Sequence, residues 1–373
     1  MRRGALAMWK SLAPRPIRAA RTSTMRGDKE RWLAPSATPW DDADEGSLGP
    51  AETLVMACHR DIYRYRHAGA SLEGEADFFN AYARESCPRC GSPEIEGNGK
   101  DANGIRRWLC KSCNRSFSVT TGTIFESHRI PVADWTEFLL ETFSYESLKG
   151  MARSNRRSKT TPPYWLAKLF AVLSGIQDGV VLSGNVQIDE KYYPLSDAEQ
   201  QRKADGTKPR GLSRNQICIA VGCDDSGRSF FSRLGLGKPS EARTRAAYAS
   251  HIQEGSHLIH DMERSHRVLV SELSLTDEAH NSKLIKSLPD KENPLADVNE
   301  LCFLLELFLN SHSGFDRSRL EGYLDLFYVM MNDPEEKMEK AAFVLDRAMR
   351  FPYTLRYREY YRKKTSSTGR QGS

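Results

Sequence analysis

Nowhere does this sequence hold the ~18 or more consecutive apolar residues that a membrane-spanning helix needs; the longest candidate, near Leu166 to Leu173, is broken by Lys168. A spanning helix is thereby excluded, and no membrane partner is expected. Acidic residues are missing from two long stretches. Residues 147–177 hold Lys149, Arg153, Arg156, Arg157, Lys159 and Lys168 and not one Asp or Glu, and residues 1–26 are likewise Arg-rich and acid-free. So one-sided a stretch cannot neutralise itself, and counterion release makes a nucleic acid its default partner. Cysteine is sparse as well: eight in 373 residues, four of them in two Cys-x-x-Cys pairs. That usage excludes a disulfide scaffold and suits metal binding in a reducing compartment. The expected location is cytoplasmic and nucleoid-associated.

What is present falls into segments. Residues 1–52 read as a disordered basic arm, rich in Pro, Ala, Ser and charge without any period. A faint likeness to a transit peptide, and Met25 as an alternative start, stand beside that reading. Residues 53–84 read as short helices. Next come Cys87-Pro88-Arg89-Cys90, nineteen residues, and Cys110-Lys111-Ser112-Cys113, within a segment bounded at 85–127. Two such knuckles bring four thiolates into the tetrahedron that zinc accepts, and four protein ligands make a closed, structural site. Gly97-Asn98-Gly99 is the expected hairpin tip of a zinc ribbon. Arg106, Arg107, Trp108, Lys111 and Arg115 give the second knuckle a basic surface. DNA contact and a purely structural role both fit it.

Residues 128–180 read as helical, with a helix opening at Pro131 and two more over Leu148–Ser154 and Pro162–Leu173. The pair resembles a helix-turn-helix whose basic residues, Lys149, Arg153, Arg156, Arg157, Lys159 and Lys168, would track phosphates. An ordinary helical hairpin is the alternative.

From Val186 the character changes. Val186 and Ile188 alternate with Gln187 and Asp189, the period of a half-buried strand. Asp is depleted in strands and rarely buried without a partner or a metal, so Asp189 invites a catalytic reading. Solvent exposure or pairing with Lys191 is the plain one. Gln216–Val221 reads as a buried strand, Asp224-Asp225-Ser226-Gly227 as a hairpin turn before a strand over Ser229–Leu234, Ser240–Gln253 as a helix, and His257–Asp261 as a strand ending in an acid. Three antiparallel strands, a helix and a further strand is the order of an RNase H-like core, expected over 183–335. A helix begins near Asp297, which with Glu300 resembles a capping box. Asn299 and Glu306, seven apart, share one side of it. Asp189, Asp261 and Glu306 would form an acidic cluster of the kind that magnesium or manganese occupies. Two such ions, about 3.5–4 Å apart, can activate the attacking oxygen and stabilise the leaving oxygen of a phosphodiester. A C-terminal helix and basic tail complete the chain over 336–373.

These residues resemble bacterial insertion-sequence transposases that join an N-terminal zinc ribbon to a DDE-type, RNase H-like integrase core, the ISXO-like group. The resemblance rests on the four ribbon cysteines running into Phe117–Phe125, on Val186-Gln187-Ile188-Asp189-Glu190, on Val298-Asn299, and on His312-Ser313-Gly314 and Leu320–Phe327. It implies a DNA transposase that binds terminal inverted repeats, cleaves a strand and transfers it to target DNA, acting as a homo-oligomer on paired ends. By the resemblance Asp189 and Asp261 would be the first and second catalytic aspartates. Asn299 stands where many members have Asn, but Glu306 stands where they have Lys. Glu306 would then supply the third carboxylate, with Glu263 a substitute ligand and His266 an incidental polar residue. The alternatives are a catalytically inactive or domesticated zinc-ribbon DNA-binding protein, and a nuclease that hydrolyses DNA without joining it.

Overall fold

A computed structural model describes residues 47–65, 74–127, 131–154, 158–209, 211–285, 287–289, 291–312, 314–351 and 353–361. Most of the expected basic arm lies outside these residues, as do Arg156, Arg157, Ser313 and the tail from 362 onward. Among the described residues no helix is long and apolar enough to cross a membrane. The chain divides into two units, Met1–Val172 with Glu336–Ser373, and Leu173–Glu335.

In the first unit, α1 (Pro50–Tyr65) and α2 (Glu75–Asn80) precede a three-stranded antiparallel sheet, β1 (Ile95–Lys100), β2 (Arg106–Cys110) and β3 (Arg115–Ser118). The β1–β2 turn is not at Gly97-Asn98-Gly99, which lies within β1 at an irregularity in the ladder. Asp101 makes the turn instead: its carboxylate accepts from the Asn103 and Ile105 amides at 2.9 and 3.0 Å, an Asx turn that outcompetes the glycines. Helices α3 (Val132–Phe143), α4 (Leu148–Ser154) and α5 (Thr161–Leu173) follow. Pro162 and Pro163 are tolerated because they sit in the first turn of α5, where amides lack intrahelical acceptors. Trp135, Phe138 and Trp165 form a buried aromatic contact between α3 and α5.

The second unit is built on a five-stranded sheet of β4 (Asn185–Pro194), β5 (Gln216–Asp224), β6 (Ser229–Leu236), β7 (His257–Asp261) and β8 (Thr276–His280). Its spatial order is β6-β5-β4-β7-β8. β5 is antiparallel to both neighbours, whereas β4, β7 and β8 run parallel. This is a mixed α/β sheet in RNase H-like order. β5 is buried along nearly its whole length, and Gly222 within it admits the Phe230 ring: a Cβ there would lie 2.5 Å from that ring. One face of the sheet carries α6 (Glu241–Tyr248) and α7 (Arg267–Glu272) over a core of Val186, Ile188, Phe230, Tyr248, Leu258 and Leu269. After β8 come α8 (Ser282–Ile285), α9 (Ala296–Ser311) and α10 (Leu320–Met331); α9 packs on β4 and β5, and α10 on β6. The last described long helix, α11 (Lys337–Arg350), belongs to the first unit, where it packs on α1 and α3.

Candidate functional site

The site follows from how α9 lies on β4. Two strand residues advance ~6.7 Å and four helix residues ~6 Å, so alternate side chains of β4 meet successive turns of α9. Gln187 donates to Asp297 Oδ2 at 3.2 Å and accepts from the Val298 amide at 3.1 Å. Cys302 Sγ lies 4.0 Å from Asp189 Oδ2. Lys191 Nζ is hydrogen-bonded to Glu306, and Tyr193 donates to Asn310 Oδ1 at 3.2 Å. Asp189 therefore does not pair with Lys191, and it is only partly exposed. The residue of α9 that faces it is Cys302; Glu306 sits one turn further on, and Asn299, one turn back, is exposed. The capping box does not form, since Leu295 is the N-cap and no side chain caps the helix. Asp297 keeps a structural role through Gln187.

Ile188 pairs with His260 across the parallel β4–β7 ladder, so Asp189, midway along β4, and Asp261, the last residue of β7, come one step further on neighbouring strands. Asp261 Oδ1 is oriented by the Glu263 amide at 2.9 Å. Removal from water raises the Asp189 carboxyl to about 7; the Glu190 amide opposes the rise, and the charges of Glu190 and Asp261 add to it. A carboxyl so placed gains from a nearby cation. Asp189, Asp261 and Glu306 offer only carboxylate oxygens, the type that suits a hard divalent ion, but among the described residues these three are not a group whose ligand atoms converge within 4.8 Å, and Glu306 is engaged by Lys191.

On the opposite face of β4 lies a network absent from the sequence reading. His266, expected to be incidental, is fully buried and contacts Glu190 Oε1 through Nε2 at 2.8 Å. Glu190 also accepts from the Tyr248 hydroxyl at 3.3 Å. His260 Nε2 lies 2.7 Å from Asp277 Oδ1, and the two Nδ1 atoms of His260 and His266 face each other at 3.0 Å. Burial pushes His266 down, but the hydrogen bond and charge of Glu190 outweigh it and leave the imidazole above its ordinary value. No spacing motif marks these histidines; the only signal was their place beside Asp261.

The four ribbon cysteines converge, with Cys87 and Cys113 sulfurs 3.8 Å apart and Cys90 and Cys110 sulfurs 3.6 Å apart. A tetrahedron with Zn–S bonds of about 2.3 Å has edges of roughly 3.8 Å, so the cluster fits zinc. Gly91 at φ 75° and Asn114 at φ 50° take the left-handed conformation after each knuckle, which Gly and Asn adopt most easily.

Of the basic residues in the described helical segment, Lys149, Arg153 and Lys159 are exposed. Lys168 is not. It is buried, donates to the Ile124 carbonyl and lies 4.9 Å from the Tyr164 ring centroid; burial lowers its amine to about 8. A lysine so enclosed braces α5 and does not reach a phosphate.

No family model matches the sequence. A relative of Halobacterium salinarum, an uncharacterised protein in the transposable element ISH50, is 24% identical over 255 residues, covering 65% of this chain and 83% of its own. The pre-cleavage Mos1 transpososome, a crystal structure, aligns with 87% of this chain and all of its own at 12% identity. Its TM-score of 0.24 is too low to carry an argument.

Proposed function

We propose that this chain is a DDE-type DNA transposase, its second unit cleaving a phosphodiester and directing the freed 3′-hydroxyl at target DNA. The observation that carries the reading is the adjacency of Asp189, midway along β4, to Asp261, the last residue of parallel β7, with Asp189 raised to about 7. A relative within a transposable element supports it. Asp189, Asp261 and Glu306 would hold divalent magnesium or manganese, which supplies activation of the attacking oxygen and stabilisation of the leaving one. Lys191 engages Glu306 one helical turn beyond the residue that faces Asp189, so Glu306 would have to leave that ion pair to join the two aspartates. β4 and β7 fix the two aspartates from rigid strands, so little reorganisation is needed as substrate binds. Lys149, Arg153, Arg156, Arg157 and Lys159 would track DNA phosphates, with the zinc ribbon beside them in sequence.

One observation favours a second reading, a DNA-binding protein without cleavage: the helix residue facing Asp189 is a thiol, not a carboxylate. The test begins with the genomic DNA flanking the gene. Inverted repeats bounded by a short direct duplication supply a substrate, and metal-dependent nicking at the repeat ends supports cleavage. Binding to those ends with no nicking in magnesium or manganese selects the second reading.

A further inference from the structure

The His260–His266 contact has an electrostatic consequence. Each Nε2 faces a carboxylate, His260 toward Asp277 at 2.7 Å and His266 toward Glu190 at 2.8 Å. Each Nε2 therefore carries its proton, which leaves the two Nδ1 atoms, 3.0 Å apart in rings more than nine-tenths buried, to share a single cation, a proton or a metal ion.

We infer that His260 Nδ1, His266 Nδ1 and an Asp261 carboxylate oxygen form a binding site for a transition-metal ion of the zinc, cobalt or manganese class. The three ligand atoms lie within 4.8 Å of one another. With metal–ligand bonds of about 2.1 Å, the 3.0 Å separation of the nitrogens subtends roughly 90° at the ion. The 3.7 Å separation of His266 Nδ1 from Asp261 Oδ1 subtends roughly 120°. These angles bracket the tetrahedral value. Glu190 and Asp277 stand where the outer carboxylates of metal-bound histidines stand: each fixes its ring and tautomer and raises its basicity. Imidazole nitrogens select against magnesium, so this site differs in metal preference from the all-carboxylate site proposed for Asp189, Asp261 and Glu306. Asp261 is partly exposed and gives the ion its route from solvent. The inference shares Asp261 with the proposed DNA-cleaving site but stands without cleavage.

The test is the metal content of the purified full chain after equilibration with zinc, followed by cobalt reconstitution with zinc retained in the ribbon. The expected result is one ion beyond the ribbon's, with a cobalt spectrum lacking thiolate charge transfer. His260→Asn, His266→Gln and Asp261→Asn each lose that ion, and Asp277→Asn binds it about 10- to 100-fold more weakly. Asp189→Asn, which the cleavage reading expects to be inactive, keeps it, so the two readings fail separately. Amide exchange in β4 and β7 checks that each variant remains folded. The inference is overturned if wild-type protein binds only the ribbon's ion. A strongly deshielded histidine proton with no second ion taken up overturns it too, because a shared proton then fills the gap.

Discussion

Asp189→Asn reports directly on the environment of the site. The carboxyl rises from 3.8 to about 7 on folding, so between those values the folded chain holds a proton that the unfolded chain has lost. Stability contributed by this group is thus complete below pH ~4 and is lost as pH rises through 7. Three pH units at 1.36 kcal/mol each give roughly 4 kcal/mol. His266, also raised, slopes the same way in both proteins; the Asp189 charge is the smallest of the causes of its rise, so its contribution largely cancels in the comparison. The second unit contains no tryptophan, so fluorescence would miss it, and amide exchange over β4 and β5 is the assay. With zinc in the ribbon and no other divalent ion added, protection of these strands in wild type falls by about 10³-fold relative to Asp189→Asn from pH 4 to 8. Adding magnesium restores wild type alone. Equal slopes in the two proteins would refute the claim that Asp189 is a desolvated, cation-seeking carboxyl.

Three further outcomes are expected. Cys110→Ser opens the zinc tetrahedron, and since Cys110 also belongs to the buried ribbon cluster with Cys87 and Phe117, zinc content and exchange protection of β1–β3 fall together. Gly222→Ala drives a methyl into the Phe230 ring and destabilises the second unit by about 1–3 kcal/mol, read by amide exchange over β5 and β6. Glu306→Gln lowers strand cleavage by about 10²- to 10³-fold, the scale of losing one preorganised charged group. Asn299→Ala, at an exposed position, changes it by less; single-turnover rates on a pre-paired DNA end compare them.

Much of the architecture was legible because it is written in short-range pattern. The alternation of Val186 and Ile188 with Gln187 and Asp189 marks β4, and the unbroken apolar run from Ile217 to Val221 marks a central strand. β8 was not legible: its sequence, Thr-Asp-Glu-Ala-His, is polar because it forms the sheet's edge, partly exposed and paired only to β7. The ribbon's hairpin was misplaced because glycine pairs signal turns only where no Asx turn competes, and Asp101 supplies one. The capping box failed because Asp297 is already inside the helix, engaged by Gln187. The histidines escaped for a different reason. His260 and His266 meet Glu190 and Asp277 only through the pairing of β4, β7 and β8, a long-range fact with no local trace. Likewise, that Cys302 faces Asp189 depends on the matched pitch of α9 and β4, which spacing within the helix does not reveal.

The most direct test of the central claim is a cleavage and joining assay on DNA carrying the repeat ends from either side of the gene, with purified protein and magnesium or manganese. The account expects a nick that leaves a 3′-hydroxyl at the repeat end and a covalently joined product with target DNA, both abolished by Asp189→Asn and by Asp261→Asn. Cleavage that survives both substitutions, or no cleavage by wild-type protein that binds those ends, would contradict it.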